Sequence, residues 1–384
     1  MYTRKLETYL NTITDRYRAI TFIGPRQSGK TTLARNFFRE YDYISFEDPD
    51  TRLRVQSDPK GFLRSIRRNC IIDEVQRFPE FLSYLQGILD DKSDPRKFVL
   101  TGSNSLLLSA KISQSLAGRA RLLCVLPLQR DELPETERPQ DIDTMLFCGS
   151  YPRIYDEKLE PTAWYGDYYQ TYVEKDIRSL THIENLAGFD RFVRLVAGRS
   201  GQLVNHSSLA SDAGISSPTA KSWLSLLEAS FICYTLQPHF RNFSKRIIKS
   251  PKVYFYDTGL LCYLLRIRDL KQLESHPLRG AIFENWVISE HFKNAFNLGR
   301  EAPYYFWRDQ HGHEVDLICD QGQILDLIEI KSGQTFHPDF LKNILWLGSL
   351  QGTHTGTLIY GGADSFEFKG YTIRSWDKLF QVAT

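Results

Sequence analysis

The sequence predicts an α/β chain with a helical middle part, and three passages carry that prediction. "AITFIGPRQSGKTTLARNFF" (19–38) runs from an apolar strand through a glycine-rich loop into an amphipathic helix. The passage around Gly214 pairs two helical stretches and leads into two short apolar strands. "FWRDQHGHEVDLICDQGQILDLIEIK" (306–331) alternates apolar and polar residues around Val315-Asp316-Leu317 and Ile328-Glu329-Ile330-Lys331, the period of strands.

Composition bounds the possibilities. A chain of 384 residues is long enough for two or three domains, each with its own core. Hydrophobic residues make up 42% and charged residues 24%, ordinary for a globular protein. With a net charge of +2, any nucleic-acid surface has to be local. Cysteines 70, 124, 148, 233, 262 and 319 form no C-x-x-C pair, so reduced thiols in a cytoplasmic protein are expected, with neither disulfides nor a zinc site. No apolar run approaches the ~18 residues of a bilayer span. "MYTRKLETYL" lacks the apolar stretch of a secretory signal, so no membrane association is expected. The stretch from 130 to 143, "RDELPETERPQDID", is polar and proline-containing, like a linker.

In the first passage Gly24-x-x-x-x-Gly29-Lys30-Thr31 stands between a strand and a helix, the context of a P-loop. Glycines let backbone N–H groups turn toward phosphates, and the helix N-terminus favours negative charge. Gly24, Pro25, Arg26, Gln27, Ser28, Gly29, Lys30, Thr31 and Thr32 are therefore expected to cradle ATP. Lys30 would reach the β- and γ-phosphates and Thr31 would ligate Mg2+. "NCIIDEVQ" is a second apolar strand ending in acids. Asp73 would hold the Mg2+ through water, and Glu74 would orient or deprotonate the attacking water. A third strand, "KFVLTGSN", ends in Ser103-Asn104, where Asn104 could sense the γ-phosphate. "SLAGRA" offers Arg119, for which an arginine finger and an ordinary surface arginine stand as equal readings.

The middle passage has the helix–turn–helix pattern. Leu209-Ala210 lie on a short helix, Gly214 turns the chain and Ile215 packs beneath. Ser217 is expected to cap the second helix with Pro218 at its first position, and Trp223, Leu224 and Leu227 form its core face. "FICYTLQPHF" and "PKVYFYD" read as the two strands of a wing, joined by a segment carrying Arg241, Lys245, Arg246 and Lys249. From 190 to 252 nine Lys/Arg oppose three Asp/Glu, the footprint of a phosphate-backbone surface to which Lys221 also contributes. DNA contact is the favoured reading, and docking on protein is the alternative.

In the last passage a helix, "GAIFENWVISEHFKNAF", sets Glu284 among apolar residues ahead of the two strands. Glu284, Asp316 and Glu329-x-Lys331 in that order resemble a PD-(D/E)XK nuclease core. That resemblance implies Mg2+ held by Asp316 and Glu329, Glu284 as an outer or second-metal ligand, and Lys331 positioning the nucleophile. A buried ion-pair cluster kept for packing is the alternative. His311 and His313 form a lone H-x-H, expected to be solvated.

The order of the parts, through "GPRQSGKTTLAR", "IIDEVQ", "LTGSN", "LAGR", "CGSYP", "YVEKDI", "VYFYDTGL", "FENWV", "WRDQHGHEVDLI" and "IEIK", closely resembles a family of prokaryotic AAA-type P-loop ATPases. These join the ATPase to a winged helix and a C-terminal domain with a restriction-endonuclease-like core. The resemblance implies a P-loop ATPase domain over 1–145, a helical and winged helix-turn-helix domain over 146–265, and a nuclease-like α/β domain over 266–384. It implies ATP hydrolysis, action on DNA by a metal-dependent nuclease-like domain or, alternatively, a non-cleaving nucleotide-dependent switch. The expected partners are DNA and a protein, in a homo-oligomer or a monomer–dimer equilibrium.

Overall fold

Five short strands, the first four separated by helices, run through the first third of the chain in this computed structural model, which describes residues 2–103, 116–173, 185–239, 249–350 and 354–380. They are β1 (Ala19–Ile23), β2 (Asp42–Ser45), β3 (Cys70–Asp73), β4 (Phe98–Gly102) and β5 (Ala120–Cys124). All pair in parallel, in the order β2-β3-β4-β1-β5. Both faces are covered, as a parallel sheet requires. Ile20, Phe22, Ile71 and Val99 face one apolar cluster, while Ile23, Ile72, Phe98 and Leu100 face another. The loops after β1, β3 and β4 therefore leave the same sheet edge, where open α/β sheets bind ligands.

The stretch from 130 to 143 is anchored at its start, while residues 134–137 and 140–141 are exposed. Glu132 is buried because Arg4 Nε (3.1 Å), Lys5 N (2.8 Å) and Gln129 N (2.8 Å) all donate to its carboxylate. Satisfied in this way, the acid tolerates burial that its polarity alone would forbid.

The middle part contains helices Leu186–Ala197, His206–Ala213 and Ser217–Ala229, then an antiparallel hairpin of β6 (Cys233–Leu236) and β7 (Lys252–Phe255). Gly214 adopts φ +71° between the two latter helices, as expected, and Trp223, Leu224 and Leu227 are buried. The cap lies one residue earlier than expected: Ser216 accepts from Thr219 N at 3.2 Å, and Ser217 is the first helical residue. Leu203 bridges Lys252 and adds a third line to the hairpin.

The C-terminal sheet has the order β12-β13-β11-β10-β9-β8. Its strands are β8 (Tyr304–Arg308), β9 (Glu314–Asp320), β10 (Leu325–Lys331), β11 (His354–Tyr360), β12 (Phe366–Phe368) and β13 (Tyr371–Ser375). The 321–324 turn makes β9 and β10 the expected hairpin, with Gly322 at φ +89°. Helix Arg279–Asn297 covers one face and helix Lys342–Leu350 the other. Along β10, Ile328 and Ile330 join the first core, whereas Leu325 and Leu327 join the second and share their face with Glu329 and Lys331. The first core also contains Trp223, Leu227, Tyr254 and Phe255, so the middle and C-terminal parts are packed as one body.

Candidate nucleotide site and carboxylate cluster

The loop between β1 and helix Lys30–Phe37 owes its shape to local residues. Gly24 takes φ +151°, and a Cβ there would collide with the Val125 carbonyl. Gln27 and Gly29 follow at φ 60° and 93°. Lys30 is buried inside the loop and donates to the carbonyls of Gly24 (3.0 Å) and Pro25 (2.6 Å). Burial lowers its pKa to about 8, even with Glu74 and Asp73 opposing that shift. From outside the expected motif, Arg4 Nη1 donates to Ser28 O (2.8 Å) and Nη2 to Leu126 O (2.7 Å), so a buried arginine holds the loop from behind.

The acids after β3 converge on this loop. Asp73 Oδ1 accepts from Thr31 Oγ1 at 2.7 Å and from Thr101 Oγ1; its Oδ2 accepts from Tyr43 OH at 2.9 Å. A hydroxyl and a carboxylate at that spacing are the hard oxygen donors that suit Mg2+ beside a nucleotide, so the residues present fit the ion. Glu74 adopts φ 56° and accepts from Gln76, which also donates to Ser103 at 3.0 Å. Burial raises the Glu74 carboxyl, with Lys30 acting against it. Asn104 lies outside the described residues.

A cleft of about 490 Å³ lies against the loop, lined by Lys30, Thr31 and Glu74 and also by Tyr2, Arg153 and Asp156. The N-terminal segment and the middle part thus border the nucleotide site. Sequence reasoning missed them; the only signal was "CGSYP", which ends at Pro152 beside Arg153. Arg119 is not brought to this site. It precedes Ala120, which is level with Ala19, so it stands at the opposite end of the sheet from the loop after Ile23, ~16 Å along the strand. Its Nη2 lies 3.0 Å from Asp90 Oδ2.

The C-terminal candidates do come together, but with different partners from those expected of metal ligands. Asp316 Oδ2 accepts from Ile330 N at 2.8 Å and faces Lys331 Nζ at 3.4 Å. Lys331 Nζ lies 2.6 Å from Glu329 Oε1, and Glu329 Oε2 is buried without a hydrogen-bond partner. Glu284 Oε1 accepts from Tyr254 OH (2.5 Å) and Lys252 Nζ (3.3 Å). Burial, then Asp316, push the Glu329 carboxyl up to about 8. Burial works against Lys331, but Asp316 and then Glu329 hold it above the usual lysine range.

Among the described residues no three His, Cys, Asp or Glu side chains are placed to hold a metal ion. The Lys331 ammonium, expected to position a nucleophile, stands 3.4 Å from Asp316 Oδ2 and 2.6 Å from Glu329 Oε1. A shift of register between β8 and β9 sets two steps of β8 (Tyr305, Trp307) against three of β9 (Ile318, Val315), and this bulge brackets Asp316. His313, expected to be solvated, instead stacks on Trp346 at 4.1 Å and pairs with Asp309 at 3.0 Å.

The basic stripe is thinner than its residue count. Lys252 is buried, Arg194 pairs with Asp190 (2.9 Å) and Arg199 with Asp212. Lys221 and Lys249 are exposed. Arg241, Lys245 and Arg246 lie outside the described residues.

Comparison with known proteins matches the chain in three stretches. Residues 16–133 match the AAA domain, 139–271 a domain of unknown function (DUF8612) and 279–378 another (DUF4143). Among solved structures the chain is similar to the Walker-type ATPase PABY2304 of Pyrococcus abyssi, at 14% identity and TM-score 0.45 over 68% of this chain and 94% of that one. It is also similar to the RuvB Holliday junction branch migration motor of Thermotoga maritima, at 20% identity and TM-score 0.33 over 60% and 87%. Both TM-scores are too low for anything further to follow. Among the described residues no helix is long and apolar enough to cross a membrane. The uncharacterized proteins Rv2008c of Mycobacterium tuberculosis and Mb2031c of Mycobacterium bovis are each 32% identical to it over 305 residues, 78% of this chain and 67% of theirs. By that identity and coverage the chain belongs to the family of these mycobacterial proteins, and by its AAA domain it is an ATPase.

Proposed function

We propose that this ATPase is a nucleotide-dependent switch that binds DNA without cutting it. The observation that carries this reading is the helix Arg279–Asn297, 19 residues and roughly 28 Å long. Toward its C-terminal end Glu290 accepts from Arg130 N (2.9 Å), Lys293 Nζ donates to Leu128 O (3.1 Å) and Asn297 to Gln129 (3.2 Å), all just beyond β5 of the ATPase. Toward its start Glu284 receives Tyr254 and Lys252 from the hairpin that follows the helix–turn–helix. A rearrangement around the nucleotide thus has a stiff, hydrogen-bonded route to the hairpin.

In this reading Lys30 neutralises the phosphates, Thr31 and Asp73 hold Mg2+, and Glu74 orients the attacking water. Arg119 serves as a finger only toward a second chain, in a homo-oligomer, since it cannot reach its own loop. DNA lies against Lys221, Lys249 and the 241–248 segment, on phosphates more than on bases, because Ser216, Thr219 and Ser222 offer no stringent base code. Metal-dependent cleavage is the weaker reading, because among the described residues no three His, Cys, Asp or Glu side chains are placed to hold a metal ion.

The test is a plasmid-nicking and ATP-turnover assay on one preparation, with Mg2+ and Mn2+. Wild type is expected to hydrolyse ATP and leave plasmid intact. Lys30→Ala should lose turnover, and Glu74→Gln should retain ATP while hydrolysing it slowly. Nicking that Asp316→Ala abolishes would replace the switch with a nuclease.

A further inference from the structure

We propose that Lys252 is the resident cation of the C-terminal carboxylate cluster, so that docking of the β6–β7 hairpin and binding of a divalent cation there exclude each other. This does not depend on the DNA-binding reading. Lys252 belongs to the middle part, yet only 2% of its side chain is exposed. Its ammonium lies 3.3 Å from Glu284 Oε1 and contacts Glu314 Oε1, and Asp316 also acts on its charge. The centre of the Phe306 ring lies 5.5 Å from its Nζ. A lysine stripped of water needs acceptors that replace its hydration, and here carboxylates do so.

The cluster's charge balance gives this lysine its leverage. Four carboxylates, Glu284, Glu314, Asp316 and Glu329, face Lys252, Lys331 and the rim residue Arg308, which pairs with Glu314 at 3.1 Å. Without Lys252, Glu284 and Glu314 would lose their shared cation beside Asp316. Such a set is held together by neutralisation or by a hard cation with oxygen ligands. Glu329 Oε2, buried and unpaired, adds an acceptor on the same sheet.

Displacing the ammonium moves more than one side chain. β7 pairs with β6 over Cys233–Phe255 through Leu236–Lys252, and Leu203 bridges Lys252 itself. β6 begins four residues after Ala229, the end of the second helix of the helix–turn–helix. An entering cation therefore has to displace the Lys252 ammonium at the start of β7, and by linkage a hairpin drawn away opens the cluster to a cation.

The experiment is a Mn2+ titration of the nucleotide-free full chain, read by the loss of free Mn2+ signal in electron paramagnetic resonance. Wild type and Asp316→Asn should be indistinguishable. Lys252→Met should gain one Mn2+ equivalent, and Lys252→Met combined with Asp316→Asn should lose it again. A Mn2+ site in wild type that Asp316→Asn removes would overturn the proposal, as would a folded Lys252→Met that gains none. If Lys252→Met is insoluble as purified, its recovery on refolding with Mn2+ would support the proposal, and failure of Mn2+ to recover it would overturn it.

Discussion

Lys30 shows how one residue can be chosen by function against its own comfort. Its ammonium is buried under two loop carbonyls, and burial brings its pKa down to about 8 from 10.5. ATP phosphates favour the charged form, so binding draws a proton onto Lys30 wherever the free site has lost it. Because the free-site pKa is depressed, affinity should hold below pH 8 and fall above it, by up to ~10-fold per pH unit. Calorimetry of ATP binding from pH 7 to 9.5 checks this; a constant Kd across that range would contradict it. This residue was legible in the sequence because its partners lie five and six residues away. Asp73 and Glu74 were legible because a short apolar strand ends in them. Arg4 and Lys252 were not: their partners Glu132 and Glu284 stand 128 and 32 residues off. A local pattern cannot separate a lysine that meets phosphate from one that meets carboxylate, so Lys252 was counted toward a basic surface.

At the scale of the element, helix Arg279–Asn297 carries the largest burden. Its apolar face was readable from Ile282, Phe283, Trp286 and Val287, which are all buried. Its polar residues were not, because Asn285, Glu290, Lys293 and Asn297 are buried too, against partners on other elements. Lys293 and Glu290, each 1% exposed and 2.9 Å apart, form an ion pair at the junction with the ATPase. Lys293 Nζ also donates to Ser150 Oγ at 2.8 Å. Lys293→Met leaves Glu290 buried without its cation and should cost ~3–5 kcal/mol of stability. Adding Glu290→Gln should recover most of that loss. Chemical denaturation of the three proteins measures it; a Lys293→Met protein as stable as wild type would show that the pair holds nothing. The sheet elements divide the same way. Alternation marked β9 and β10, whereas the bulge beside Asp316 left no trace, since one extra residue in a strand looks like any other.

The whole molecule is one ATPase sheet joined to a body in which the helix–turn–helix, its hairpin and the C-terminal sheet share a core. Motif order was enough to find the ATPase part of the chain. How the parts lean on each other depends on long-range packing, which no window of sequence contains. That packing makes the nucleotide site and the hairpin neighbours of one helix, and the central claim is that the first controls the second. The direct measurement is fluorescence anisotropy of a labelled duplex titrated with full-length protein at one fixed salt concentration, with and without MgATP. Wild type should change its DNA affinity by roughly fivefold or more when ATP is bound, the size of an ordinary coupling. Lys30→Ala should bind DNA with one affinity whether or not ATP is present. Identical wild-type affinities in the two conditions, or a shift that survives in Lys30→Ala, would contradict the account.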